Sequence, residues 1–117
     1  MAYALLIVEP AGQRQARTEA EGRELYDRML RFSEDLKARG LLTMSQSLKS
    51  AAVGARVRVQ ANQPIVVDGP FAETEEMIGG FLLLTCETRG QAIALAQECP
   101  AAQWATVEVR ELGPCYT

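Results

Sequence analysis

The sequence predicts an α+β fold, a ferredoxin-like βαββαβ sandwich with an extra hairpin. Three observations point there. Two segments carry helical periodicity, several short apolar or alternating runs read as strands, and the order is strand, helix, strand or hairpin, strand, helix, strand. The 117 residues fit one domain, 1–117, with nothing arguing for two.

Each element follows from its residues. "YALLIVE", from Tyr3 to Glu9, is rich enough in Leu, Ile and Val to be a buried first strand. Pro10 and Gly12 then break the pattern into a loop. Thr18 and Glu21 have capping-box spacing, in which the hydroxyl takes the N3 amide and the carboxylate reaches back to the cap amide. Leu25, Met29, Phe32 and Leu36 recur at steps of four, three and four, one stripe of a helix. Gly40 ends it, in the place where a left-handed residue follows a helix.

"LLTMSQSL" is read as a second strand. In "VGARVRVQ", Val53, Ala55, Val57 and Val59 alternate with Gly54, Arg56, Arg58 and Gln60, which predicts one buried and one wetter face. "ANQP" turns the chain and "IVV" returns, giving a hairpin. "GGFLLLTCE" is nearly continuous in apolar residues, as a central strand covered on both faces requires. Thr88 and Gln91 repeat the capping-box spacing, and Ala92, Leu95, Ala96 and Cys99 form a second stripe that Pro100 stops. "WATVEVREL" closes the chain. It places Trp104, Thr106, Glu108 and Arg110 on one side and Ala105, Val107 and Val109 on the other. Two helices can cover one face of such a sheet, so the second face is expected to pack on another subunit, a homodimer.

Composition narrows the function classes. Apolar residues are 48% and charged residues 23%, the balance of a soluble globular protein. A net charge of −3 argues against nucleic acid, whose binders need a basic stripe to displace counterions. Runs such as Phe81 to Leu84 are far too short to span a bilayer, so no membrane is expected. The opening "MAYALLIVEP" lacks a charged n-region and is read as strand, not signal peptide. The three cysteines, Cys86, Cys99 and Cys115, are odd in number and form no CxxC pair, which favours a reducing, cytoplasmic location over a disulfide framework. The chain has no histidine, which removes Ser-His-Asp and Cys-His mechanisms and most zinc sites. No metal or other cofactor is expected.

The candidate site is "DGPFAETEEMIGGF", Asp68 to Phe81. Asp68 precedes glycine, a favoured turn step. Gly69 precedes proline and is pushed out of the α region. Pro70 fixes its own φ and donates no amide. The result is a stiff corner that holds the Asp68 carboxylate in place, with Phe71 available to anchor it in the core. Gly79 and Gly80 let the chain enter the next strand closely, beside a bound molecule or simply to relieve sterics. Two readings are open: a positioned carboxylate acting as acid/base or ligand acceptor, or turn chemistry alone. Asp68, Gly69, Pro70, Phe71 and Thr74 form the candidate ligand site. Arg56 and Arg58 share a strand face and are either an anion contact or a solvated face. Tyr3 and Tyr26 are unranked sources of hydroxyls.

"VVDGPFAETEEMIGGF" closely resembles the signature of the DGPF group within the YCII-related family. "YALLIVE", "GLL…SLKSAAVGARVRV" and "ALAQECPAA…ATVEVREL" extend the resemblance over nearly the whole chain. The resemblance implies a dimeric α+β barrel, two ferredoxin-like subunits joined sheet to sheet. It also implies a pocket lined by the motif aspartate, here Asp68, that binds or transforms a small metabolite. In some branches a histidine lies near that aspartate; this chain has none, so a His–Asp pair is excluded. Proteins of the DGPF group often accompany extracytoplasmic-function sigma factors, which implies, as an alternative, a non-catalytic regulatory role with such a partner.

Overall fold

The structure is a computed structural model, and it describes residues 2–116. Its elements are β1 (Tyr3–Pro10), α1 (Glu19–Ala38), β2 (Leu42–Ser47), β3 (Ala55–Gln60), β4 (Gln63–Asp68), β5 (Glu76–Leu84), α2 (Arg89–Glu98) and β6 (Thr106–Glu111). Short 3₁₀ turns at Ala51–Val53 and Pro100–Gln103 fill two of the connections. Strands β2, β5, β1 and β6 form one sheet in that order, and every pairing is antiparallel. This is the ferredoxin-like order, with β3 and β4 inserted between its second and third strands as a separate two-stranded sheet.

The helix signals behave as the side chains dictate. Thr18 accepts the Glu21 amide while Glu21 accepts the Thr18 amide, a complete capping box. Those same bonds hold the Glu21 carboxyl below its usual range. Gly40 sits at φ +72°, where a glycine costs least. Thr88 caps α2 through the Gln91 amide. Phe32 and Leu36 of α1, and Ala92, Leu95 and Ala96 of α2 followed by Cys99, reach the core. There they meet Tyr3, Leu5 and Ile7 of β1 and Leu82 and Leu84 of β5. Burial pushes the Cys99 thiol pKa up and does the same to Cys86 and the Tyr3 phenol.

The sheet's other face carries Leu6 and Val8 of β1, Phe81 and Leu83 of β5 and Met44 of β2, paired across the strands. No element among the described residues covers it, and Met44 and Ile78 are each 48% exposed. On β6, Val107 and Val109 pack against the core while Thr106, Glu108 and Arg110 lie outward, as the alternation predicts.

The hairpin departs from expectation. Val53, Val57 and Val59 were expected to be buried, yet they are 73%, 67% and 68% exposed. The reason is layering. The hairpin is a sheet of its own, and neither helix lies over it. Its turn is nevertheless well made: Ala61 and Asn62 both have positive φ, 51° and 64°, as a two-residue I′ turn requires. The projecting hairpin raises the radius of gyration to 15.9 Å, against about 13 Å for a compact chain of this length.

Candidate functional site

The corner after β4 is tied to its surroundings, though not as its residues alone suggest. Gly69 does not lie in the left-handed region; a Cβ there would overlap the carbonyl oxygen of Ala51 in the neighbouring 3₁₀ turn. Its amide donates to the Gly54 carbonyl at 2.8 Å, which ties the corner to the start of β3. The Gly69–Pro70 peptide is cis. Phe71 is half-buried and lies under the Arg56 guanidinium, 4.0 Å from its ring centroid, instead of entering the core. Arg56 also donates to the Thr74 hydroxyl at 3.0 Å. Arg56, Phe71 and Thr74 are therefore brought together, by each other. Asp68, Pro70 and Arg58 are exposed. The Asp68 carboxylate makes no side-chain hydrogen bond or ion pair among the described residues.

A cavity of about 410 Å³ lies elsewhere, between α1 and the covered face of the sheet. Its apolar wall comes from Ile7, Leu25, Met29, Leu30 and Leu82, with Tyr26 and Trp104 at its border. Its polar lining includes Glu9, Arg14, Arg17 and three serines, Ser33, Ser45 and Ser47. Asp68, Gly69, Pro70 and Phe71 do not line it. A second, shallower groove is bordered by Arg56 together with Val8, Met77 and the Ala51 turn.

The cavity's polar end is built around Glu9. As the last inward residue of β1, it continues the Tyr3–Leu5–Ile7 face and is only 4% exposed. Burying a carboxylate is costly unless it is paired. Arg14, from the loop after β1, supplies the pair, with Nη2 2.6 Å from Glu9 Oε1. The contact is an ion pair and not an aligned hydrogen bond, so Oε1 has no donor aimed along its lone pairs. Arg14 is fixed by two carbonyls, donating Nη1 to Leu48 at 2.8 Å and Nη2 to Gly79 at 3.3 Å.

Gly79 explains why the pair fits. The register between β1 and β5 slips between Ile7 and Val8, which pair with Gly80 and Ile78 and leave Gly79 as the extra residue of a bulge. A Cβ on Gly79 would collide with Glu9 Oε1 and stand 2.8 Å from Arg14 Nη2. The freed Gly79 carbonyl accepts the Leu48 amide at 2.9 Å as well as Arg14. Gly79 thus admits a close neighbour, and that neighbour is an ion pair of the chain itself. Sequence reasoning missed Glu9 and Arg14. The available signal was a charged residue ending an apolar strand in phase with its buried face.

Tyr26, one of two unranked tyrosines, borders the cavity, while Tyr3 belongs to the core. Ser45 donates to Ser33 at 3.1 Å, bridging β2 and α1 across the cavity floor. Gln13 donates to the Trp104 carbonyl at 2.7 Å and holds the loop carrying Arg14 against the connection before β6.

Fold and cavity together define a small ferredoxin-like α+β protein with a charged pocket beneath its first helix. The chain belongs to the YCII-related domain family, whose model matches residues 1–115. It is 30% identical over 115 residues to the uncharacterized protein R00369 of Rhizobium meliloti (strain 1021), covering 97% of this chain and 93% of that one. Its fold is similar to that of 5-chloro-2-hydroxyhydroquinone dehydrochlorinase from Burkholderia phenoliruptrix AC1100, solved with 2,5-dihydroxybenzoquinone. The TM-score is 0.55 and the identity 18%, covering 97% of this chain and 94% of that one. No helix among the described residues is long and apolar enough to cross a membrane.

Proposed function

We propose that this protein is a homodimer that binds or transforms a small metabolite in the cavity beneath α1. The cavity carries the reading, because it combines a ligand-sized volume with a buried ion pair and an apolar lining. Such a mixed lining is what a small organic molecule with one polar end requires. A fold neighbour that holds a single-ring compound supports the same scale of ligand. The uncovered sheet face, apolar on β1 and β5 and bordered by Thr106, Glu108 and Arg110 of β6, supports the dimer, since monomers rarely leave such an apolar patch in water.

The test is a thermal-shift screen of small metabolites on the wild type and on Ser45→Trp, which fills the cavity from β2. Compounds that raise the wild-type melting temperature and leave the variant unmoved support the reading. Equal shifts in both proteins would place binding elsewhere.

Within the same reading, Asp68 is a second ligand-contact candidate. The observation in its favour is the set of contacts that Gly69, Arg56, Phe71 and Thr74 make around it. The alternative role, a regulatory interaction with a partner such as a sigma factor, is supported by the valine-rich hairpin face, where Val57 and Val66 pair and are 67% and 63% exposed. Binding of a purified sigma factor that is lost in Val57→Lys/Val66→Lys, with small-molecule binding retained, would favour that role.

A further inference from the structure

We infer that the cavity selects a small organic monoanion, an acid with an apolar body, and that Arg17 is the residue that reads its charge. The inference rests on the cavity being the binding site. Among the lining residues the ionisable side chains of opposite sign are one carboxylate, Glu9, and two guanidiniums, Arg14 and Arg17. Glu9 and Arg14 neutralise each other at 2.6 Å, and Arg14 also donates Nη1 to the Leu48 carbonyl and Nη2 to the Gly79 carbonyl. Arg14 is therefore committed to the protein. Arg17 makes no side-chain hydrogen bond or ion pair among the described residues, and it is half-buried at the cavity's edge. The Glu21 carboxylate feels the Arg17 charge, but it accepts the Thr18 amide at 2.8 Å and forms no ion pair with Arg17.

One unspent guanidinium in a pocket of otherwise balanced charge leaves a single positive excess. A carboxylate or an ionised enol matches it through a two-pronged, charge-assisted contact. A cation would meet repulsion from Arg17 with no free carboxylate to offset it, because Glu9 is already paired. A neutral ligand would leave the guanidinium without a gain. Leu25, Met29 and Leu30 of the lining take the apolar body, and Trp104 and Tyr26 offer ring faces. The serines suit further hydroxyl or carbonyl groups on the ligand. A volume of about 410 Å³ admits a ring or a short chain.

Trp104 is the chain's one tryptophan, so its indole N–H gives a single resonance at the cavity border. Titrations would follow it with three probes of one shape: benzoate, benzyl alcohol and benzylamine. The expected result is that benzoate shifts the resonance at the lowest concentration, with benzyl alcohol weaker by about tenfold and benzylamine weaker still. Arg17→Gln should cost benzoate about tenfold and leave benzyl alcohol unchanged, and Arg17→Lys should restore part of the loss. Benzyl alcohol binding as tightly as benzoate, or Arg17→Gln leaving benzoate unaffected, would overturn the charge assignment while leaving the cavity as the binding site. A resonance unmoved by all three probes would overturn the cavity reading and this inference together.

Discussion

Glu9 Oε1 and Arg14 Nη2 lie 2.6 Å apart against the bare Cα of Gly79, so a buried carboxylate, its counter-ion and a strand bulge form one unit. Removing one member should expose how the unit is held. Arg14→Met leaves Glu9 buried and unpaired, and should destabilise the fold by roughly 2–4 kcal/mol, discounted because Arg14 is itself partly solvated. Adding Glu9→Gln to that variant should recover part of the loss. Denaturant melts of the three proteins check this; a double variant less stable than Arg14→Met would contradict it.

Gly79→Ala places a methyl where Glu9 and Arg14 stand. The pair must separate or the strand must shift, at a cost of about 1–3 kcal/mol. Gly80→Ala provides the comparison, since its Cβ would meet the Gln46 carbonyl oxygen at 2.9 Å and strain the β2–β5 contact instead. Both glycines line the cavity, so either variant should weaken binding there, but only Gly79→Ala should do so by displacing the Glu9–Arg14 pair.

Gly69→Ala should destabilise by about 1 kcal/mol or more, because its Cβ overlaps the Ala51 carbonyl and the 3₁₀ turn must yield. A melting temperature equal to that of the wild type would show that the corner and the turn are not packed as described.

Asp68→Asn should leave stability within about 0.5 kcal/mol, since the exposed carboxylate holds no partner that an amide would lose. If the cavity alone binds ligand, binding is unchanged too. Loss of binding with unchanged stability would instead make Asp68 a ligand contact.

Thiol chemistry should separate the three cysteines. Burial raises the Cys99 and Cys86 pKa values, so less thiolate is present at any given pH and access is closed as well. Iodoacetamide at neutral pH should label exposed Cys115 alone in the folded protein. Because the folded thiols ionise later than unfolded ones, this contribution to stability is intact below the unfolded thiol pKa and is lost as pH rises through the folded values. Labelling of Cys99 at the rate of Cys115 would contradict the packing.

Leu83→Arg places a charge on the uncovered sheet face without touching the core face of β5. If that face joins two subunits, sedimentation should show a dimer for the wild type and a folded monomer for the variant. A folded wild-type monomer at micromolar concentration would remove the dimer from the proposal.

The sequence by itself determined the elements and their order. Capping pairs such as Thr18 with Glu21, stripes such as Ala92–Leu95–Ala96–Cys99, and the two-sided apolar run of β5 are local patterns whose physics acts over a few residues. The inward and outward sides of β6 were legible for the same reason. The hairpin's burial was not, because alternation states that two faces differ and not that anything lies beneath one of them. Nor was the pocket. Glu9 and Arg14 are five positions apart, but what pairs them beneath α1 is a bulge at Gly79 and a carbonyl at Leu48, both brought from segments distant in sequence. The Asp68 corner drew attention because its stiffness is written in adjacent residues, whereas a cavity is written in none. It is the space left when α1 crosses the sheet above small residues, and only the tertiary packing decides where that space falls and which charges line it.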